Sequence, residues 1–258
     1  MNILGGLSRP LTWGVEQHTS KFCSQEKQLL ARSSNQFDIY LEVGTRRTFA
    51  GAIEWPGWCR SGPDEQSALQ ALFEYGPRYV RALHPVRLGF QAPTEGSAFA
   101  VIERLKGNAA TDFGAPNIAP ASDTKPISEA ELRRFQKLMK ACWRTFDTTA
   151  RAATGKALRK GPRGGGRDLE GIIQHVLDGD ASYLAQVGWK LKKDVETDLR
   201  QQLAQTRQAI LDALVSAAHG EMPARGPRGG VRWTPRYFVR RVTWHILDHA
   251  WEIEDRVL

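Results

Sequence analysis

Two histidines near the end of the chain are spaced so that they could share a ligand. His245 and His249 lie within Arg240–Arg256, a stretch without Gly or Pro whose apolar residues recur at three- and four-residue steps. This periodicity predicts a helix, and Pro235 suits the first turn of that helix. Residues four apart lie on one face of a helix, so both imidazoles would point together. Two imidazoles in this arrangement can hold one divalent cation.

The same spacing also has a purely structural explanation. Two partly buried histidines packed beside Trp244 and Trp251 would give an identical pattern, so a metal site needs a third ligand from elsewhere. His175 is the candidate, because it lies in another stretch with helical periodicity. Together, His175, His245 and His249 would leave one coordination position open. That is the arrangement of catalytic zinc sites, whereas structural zinc sites are usually closed by four protein ligands.

The elements that must position these histidines are four amphipathic helices in the second half of the chain. Ser128 and Glu131 form a capping-box pattern that begins a helix expected to run to about Ala153. Further helices are predicted from Asp168 to Val187, from about Asp194 to Ala218, and at the C-terminus. An antiparallel, up-and-down four-helix bundle is the simplest way to bury four such stripes. In that order, the second and fourth helices begin at the same end.

A glycine- and arginine-rich heptapeptide occurs twice, each time just before a histidine-bearing helix. The pattern Gly-Pro-Arg-Gly-Gly-x-Arg covers residues 161–167 and again residues 226–232. Helix N-termini favour anions, so two such loops at one end of a bundle predict a carboxylate or phosphate site. The alternative is a pair of flexible connectors whose arginines are merely solvated. The predicted anion- or substrate-binding residues are Arg163, Arg167, Arg228 and Arg232.

Two further side chains could support the site without being ligands. Arg241, one turn before His245, could reach an anionic substrate or pair with an acid on the second helix. Glu252 could accept a hydrogen bond from a ligand's ring N–H, or it could pair with Arg256 one turn on. We prefer the second interpretation of Glu252.

The first half of the chain has the pattern of a small α+β module. Strand-like segments cover Phe37–Val43 and Thr48–Trp55, and Pro63-Asp64-Glu65 begins a helix. Val86–Phe90 and Phe99–Leu105 are further strand candidates. The predicted fold class is therefore an α+β N-terminal module followed by an all-α four-helix bundle. The predicted parts are a poorly ordered lead-in (1–36) with a short helix near Glu26–Arg32, the module (37–106), a linker (107–125) and the bundle (126–258).

Composition bounds the class of protein. A chain of 258 residues with 41% hydrophobic and 25% charged residues is typical of globular proteins. It has neither a long apolar run nor an N-terminal signal pattern, which predicts a cytoplasmic protein without a membrane span. Three distant cysteines without a CxxC pattern indicate reduced thiols. The net charge is +8, and the basic excess falls entirely after residue 124, which favours two domains with different roles.

The N-terminal module resembles the HicB-like fold of antitoxin proteins. The resemblance rests on two strands, the turn Trp55-Pro56-Gly57-Trp58, and a helix opening at Asp64-Glu65-Gln66-Ser67-Ala68-Leu69. It covers about 45 residues. It implies a small sheet packed with a helix, often found alongside a DNA-binding module. No helix-turn-helix or ribbon-helix-helix pattern accompanies it in this sequence.

The C-terminal part, residues 126–258, resembles the DinB/YfiT-like superfamily. The resemblance rests on one histidine in the second helix and on the segment Trp244-His245-Ile246-Leu247-Asp248-His249-Ala250-Trp251-Glu252 in the last. It implies a four-helix bundle with a three-histidine site for zinc, nickel or a similar ion. The resemblance implies that the three metal ligands are His175, His245 and His249. Members include S-transferases that use bacterial low-molecular-weight thiols, as well as hydrolases and isomerases.

The leading functional hypothesis is a divalent-metal-dependent enzyme, with zinc preferred over nickel, manganese or iron. The ion would activate a thiol or water for attack on a small anionic substrate, in an S-transferase or hydrolase reaction. The alternative is a nucleic-acid-binding or toxin–antitoxin-type accessory protein that uses the basic half and the HicB-like module. A non-catalytic metal sensor would differ in having no open coordination position. The sequence leaves a homodimer open.

Overall fold

A computed structural model describes residues 36–160, 166–191 and 198–258. Residues Phe37 to Leu258 belong to one compact unit, and a single large apolar cluster runs from the sheet into the C-terminal helices. The short helix expected near Glu26–Arg32 lies outside the described residues. None of the helices described is long and apolar enough to cross a membrane.

The N-terminal part contains a mixed four-stranded sheet. Its strands are β1 (Phe37–Val43), β2 (Thr48–Ala52), β3 (Cys59–Gly62) and β4 (Phe99–Lys106), in the spatial order β3-β2-β1-β4. β2 pairs antiparallel with both β1 and β3, whereas β4 lies parallel to β1 on its other side. The α+β character of this half is thus confirmed. β1 has its predicted bounds, β2 is shorter than predicted, and β3 was not predicted.

The strand candidate at Val86–Phe90 is wrong. His84–Val86 forms a 3₁₀ turn, and the chain then continues irregularly. The reason is local backbone geometry, because Arg87 and Gly89 have φ angles of 47° and 80°, in the left-handed region that a strand excludes.

Two helices follow β3, and the first of them packs on the sheet. α1 (Glu65–Glu74) begins at Asp64, whose carboxylate accepts a hydrogen bond from the Ser67 amide at 2.7 Å. α2 (Gly76–Leu83) follows directly. The fully buried Trp58 donates its indole N–H to the Leu72 carbonyl at 2.9 Å, which fixes α1 against the sheet.

The C-terminal part contains four long helices. They are α4 (Glu129–Ala153), α5 (Leu169–Gln186), α6 (Leu199–Ala218) and α7 (Pro235–Arg256). Each begins with a side chain that caps a backbone N–H, and Ser128 and Glu131 form the predicted capping box. The prediction of several C-terminal helices is confirmed, and α4 has its predicted bounds.

The directions of these helices differ from the up-and-down expectation. α4 and α7 run parallel: Arg236 pairs with Glu131 near their starts, and Thr149 contacts Glu254 near their ends. α6 runs opposite to α4, because His219 at its end pairs with Glu129 at the start of α4.

α5 also runs opposite to α7. The Trp233 amide donates to the Gln186 carbonyl at 3.1 Å, and Arg256 donates to the Arg167 carbonyl at 2.8 Å. The four helices therefore run up, down, down and up. Amphipathic periodicity does not encode helix direction, and bundles with long crossover connections adopt such orders.

The segment predicted as a linker is tied closely to the sheet. Residues 107–125 contain α3 (Ala109–Phe113) and a 3₁₀ turn at Ala121–Thr124. The fully buried Glu42 of β1 accepts hydrogen bonds from the Thr111 hydroxyl and from the Asn117 and Ile118 amides. A buried carboxylate needs such donors, so the contact holds the segment in one place.

α7 lies at the centre of the molecule and is buried on nearly all sides. The buried Arg240 donates to the Ala52 and Ile53 carbonyls at the end of β2 and pairs with Asp123 of the preceding segment. The same helix carries apolar side chains of the common core, among them Val239, Val242 and Ile246. α7 thus connects the sheet, the segment before α4, and the other long helices.

Candidate metal centre

The three histidines that the sequence singled out lie together. One potential ligand atom from each of His175, His245 and His249 lies within 4.8 Å of the other two. The Nε2 atoms of His175 and His245 are 3.4 Å apart. Two nitrogens that each lie ~2.05 Å from a tetrahedral zinc ion would be separated by ~3.3 Å. The three imidazoles could therefore hold one metal ion with small adjustments.

The antiparallel packing of α5 on α7 produces this arrangement. His245 and His249 lie one turn apart on the face of α7 that meets α5, and His175 lies opposite them. Gly179, one turn after His175, gives the His245 ring its space. A Cβ at Gly179 would lie 2.4 Å from His245 Cε1, far inside van der Waals contact.

A carboxylate and a guanidinium orient His249. Glu252 lies 2.7 Å from His249 Nδ1, and Arg256 pairs with the other carboxylate oxygen. An Nδ1–H that donates to Glu252 leaves the Nε2 lone pair free for a metal, as in carboxylate–histidine–zinc sites. Glu252 thus makes both contacts that the sequence offered as alternatives. Burial opposes its ionisation, but the hydrogen bonds from His249 and Arg256 outweigh that effect and lower the pKa of Glu252.

The electrostatic environment favours neutral imidazoles. Burial and the neighbouring His249 lower the pKa of His175, and the same two causes lower the pKa of His245 further. Metals bind the neutral form of imidazole, so these shifts leave the rings ready for coordination near neutral pH.

The loop arginines that the structure describes do not lie around one site. Arg167 lies beside the end of α7, where its carbonyl accepts from Arg256, and its charge contributes to the low pKa of His175. Arg232 lies at the other end of α5, where its guanidinium packs on Gly188. α5 has 18 residues, so these ends are about 27 Å apart.

The expectation that the second and fourth helices begin at the same end is therefore wrong, because α5 and α7 run antiparallel. Arg228 is exposed in a turn closed by the Arg225–Val231 bridge. Arg163 lies outside the described residues. Anion binding by any one of these arginines remains a prediction.

Arg241 lies beside the histidines and is buried. It donates to the Pro116 carbonyl and, at 3.1 Å, to the Tyr183 hydroxyl of α5. Among the described residues Arg241 pairs with no acid of the second helix, so that alternative is wrong, and its partner on this helix is the Tyr183 hydroxyl. The sequence analysis gave no role to Tyr183 or Gly179, because no pattern of residue types marks either position as part of a site.

Comparison of the chain with models of known protein families finds no match. Comparisons with curated proteins and with solved structures find none either. The geometry of the site is therefore the basis for any statement about function.

Proposed function

We propose that the protein is a divalent-metal-dependent enzyme whose ion is held by His175, His245 and His249. The observation that carries this proposal is the convergence of three imidazoles from two helices, with their ligand atoms within 4.8 Å. Zinc is the first choice, because imidazole suits it and three histidines are a common catalytic set for it. Nickel, manganese and iron are the alternatives.

The fold that accompanies this proposal is a DinB/YfiT-like four-helix bundle over residues 126–258, with a HicB-like module before it. The support for the bundle is that α4 to α7 share one core and that two of them carry the histidines. The support for the module is the sheet with a helix packed on it.

The reaction class follows from the open coordination position. An ion held by three protein ligands lowers the pKa of a water or thiol at its fourth position and so supplies a nucleophile. The described cysteines do not fill this role: Cys59 and Cys142 are fully buried, and burial raises the pKa of the Cys59 thiol to about 12 and raises that of Cys142 as well. A water or an external low-molecular-weight thiol would therefore attack the substrate, as in a hydrolase or an S-transferase.

The test is metal content by mass spectrometry on protein purified without chelator or nickel affinity resin. We expect about one equivalent of metal in the native chain and a large loss in the His245→Ala/His249→Ala double variant. His84→Ala, an exposed histidine elsewhere, is the matched control and should keep the metal. A native chain that binds no zinc, nickel, manganese or iron after reconstitution would contradict the proposal.

A further inference from the structure

Arg241 is a buried cation whose partners among the described residues are all neutral. Only 6% of its surface is exposed. Its terminal nitrogens donate to the Pro116 carbonyl and the Tyr183 hydroxyl, and its Nε has no hydrogen-bond partner in the part of the chain that the structure describes. The rings of Tyr183, Trp233 and Trp244 surround the guanidinium, with centroids 5.2, 5.9 and 4.8 Å away.

The neighbouring Arg240 shows how this protein compensates a buried guanidinium. Arg240 is 5% exposed, and Asp123 accepts two hydrogen bonds from it, each 2.7 Å long. Two backbone carbonyls accept its remaining donors. Burial of a charge without a counter-ion is far more costly than burial of a paired charge. Arg241 is buried equally well, yet within residues 36–160, 166–191 and 198–258 it has no anion of the kind that Arg240 has.

The unpaired charge lies next to the histidine cluster. The Tyr183 ring separates the two, with its centroid 5.2 Å from the Arg241 guanidinium and 5.4 Å from the His245 ring. The buried Tyr237 hydroxyl, one turn before Arg241, is a further polar group that has no hydrogen-bond partner among the residues described. An anion beside Arg241 would thus lie within the length of a small molecule from the proposed metal position.

We propose that Arg241 binds the carboxylate of a small organic acid whose reacting end lies at the three histidines. A guanidinium binds a carboxylate through two parallel N–H···O bonds, and the unpartnered Nε–H can supply one of them. The aromatic rings around it suit a short, apolar or planar body between the two ends. Arg241 thus takes the anchoring role that the sequence suggested for the glycine-rich loops. Only the placement of the reacting end rests on the proposed function.

The test uses ¹⁹F NMR titration of the full chain with trifluoroacetate and with 4-fluorobenzoate, in metal-free and zinc-loaded forms. 4-Fluorobenzamide, the neutral analogue, is the matched ligand control. We expect the carboxylates to bind and the amide to bind at least about tenfold more weakly, because a charge-assisted hydrogen bond is lost. Arg241→Gln should lower the carboxylate affinity about tenfold to a hundredfold, whereas Arg133→Gln, at an exposed arginine of α4, should leave it unchanged. Arg241→Lys keeps the positive charge but cannot form two parallel hydrogen bonds to a carboxylate. Its carboxylate affinity should therefore lie between those of the native chain and Arg241→Gln.

Equal carboxylate affinity in the native chain and Arg241→Gln would overturn the inference, and so would failure of both carboxylates to bind. If Arg241→Gln does not fold, native affinity in Arg241→Lys would overturn it instead. Displacement of the probes by inorganic phosphate at lower concentration than by acetate would overturn the assignment to a carboxylate. Arg241-dependent binding in metal-free protein, together with failure to bind any metal, would leave the inference standing and contradict only the proposed function.

Discussion

At the scale of single residues, the candidate centre depends on a glycine as much as on its histidines. A methyl group at position 179 would collide with the His245 ring at 2.4 Å. Alanine is otherwise preferred over glycine in a helix by about 0.5–1 kcal/mol. The glycine at position 179 is therefore unfavourable for the helix itself and is explained by the space that the His245 ring needs. The histidine spacing is visible in the sequence, whereas the need for Gly179 follows only from the packing of α5 on α7.

Gly179→Ala tests this role. We expect the His245 ring to shift and the affinity for zinc to fall about tenfold to a hundredfold, while the helix itself does not lose stability. A competition titration with a zinc chelator measures the affinity. Gly96→Ala, where a Cβ would meet nothing within 4 Å, should leave it unchanged. Native zinc affinity in Gly179→Ala would mean that His245 is not a ligand in its described position.

Glu252 gives a second prediction at this scale. Glu252→Gln removes the negative charge that orients His249 and should lower zinc affinity about tenfold, a usual effect of losing a carboxylate behind a ligand. The neighbouring Glu254→Gln is the matched control, because Glu254 contacts Arg78 and Thr149 instead of a histidine. The same competition titration serves for both. If both variants lose zinc affinity equally, the effect comes from the change in net charge and not from the contact between Glu252 and His249.

At the scale of elements, α5 carries an unusual buried acid on the side away from its histidine. Asp180 is fully buried, and no described residue donates a hydrogen bond to either of its carboxylate oxygens. Burial raises its pKa to about 7, although the charge of Arg207 acts in the opposite direction. α5 therefore presents two polar groups to two different environments, His175 towards α7 and Asp180 into the interior.

The raised pKa of Asp180 predicts how stability changes with pH. In the unfolded chain the carboxyl titrates near its ordinary pKa of about 3.9, so between that value and about 7 only the folded state keeps the proton. This contribution to the free energy of unfolding falls as pH rises through that window and is constant above it. Asp180→Asn should remove the dependence and make the protein more stable than the native chain at about pH 8, by up to ~4 kcal/mol.

Urea unfolding of both proteins at about pH 5 and about pH 8 measures the difference. Asp178→Asn, an exposed acid on the same helix, is the control and should keep the native pH dependence. Identical pH dependence of the native chain and Asp180→Asn would contradict a raised pKa for Asp180.

At the scale of the whole molecule, the buried pair between Asp123 and Arg240 joins parts that are distant in the sequence. Arg240 belongs to α7, its carbonyl partners belong to the end of β2, and Asp123 lies before α4. Because the three parts meet at one guanidinium, loss of the pair should destabilise residues 37–258 together.

Asp123→Asn leaves the Arg240 charge buried without an anion and should lower the free energy of unfolding by about 3–5 kcal/mol. Chemical unfolding followed by circular dichroism measures this change. Asp255→Asn breaks the more exposed pair with Arg78 and should cost less than about 1 kcal/mol. Separate transitions for the sheet and the helices in Asp123→Asn would show that the two parts are not one cooperative unit.

The sequence by itself determined much at the local level. Phe37–Val43, the capping box at Ser128 and the end of α4 at Ala153 follow from residue periodicity and from capping chemistry, which act between near neighbours. The spacing of His245 and His249 on one helical face is local in the same sense. His175 was added as a candidate because it too lies in a helical stretch.

Only the tertiary structure decided what depends on helix direction and long-range contacts. The up, down, down and up order places His175 opposite His245 and His249, yet separates Arg167 from Arg232 along the length of α5. Long-range contacts also tie residues 107–125 to Glu42 of β1 and leave Arg241 with only neutral partners among the described residues. Hydrophobic periodicity records which face of a helix is buried, but it does not record which neighbour buries that face or in which direction the neighbour runs.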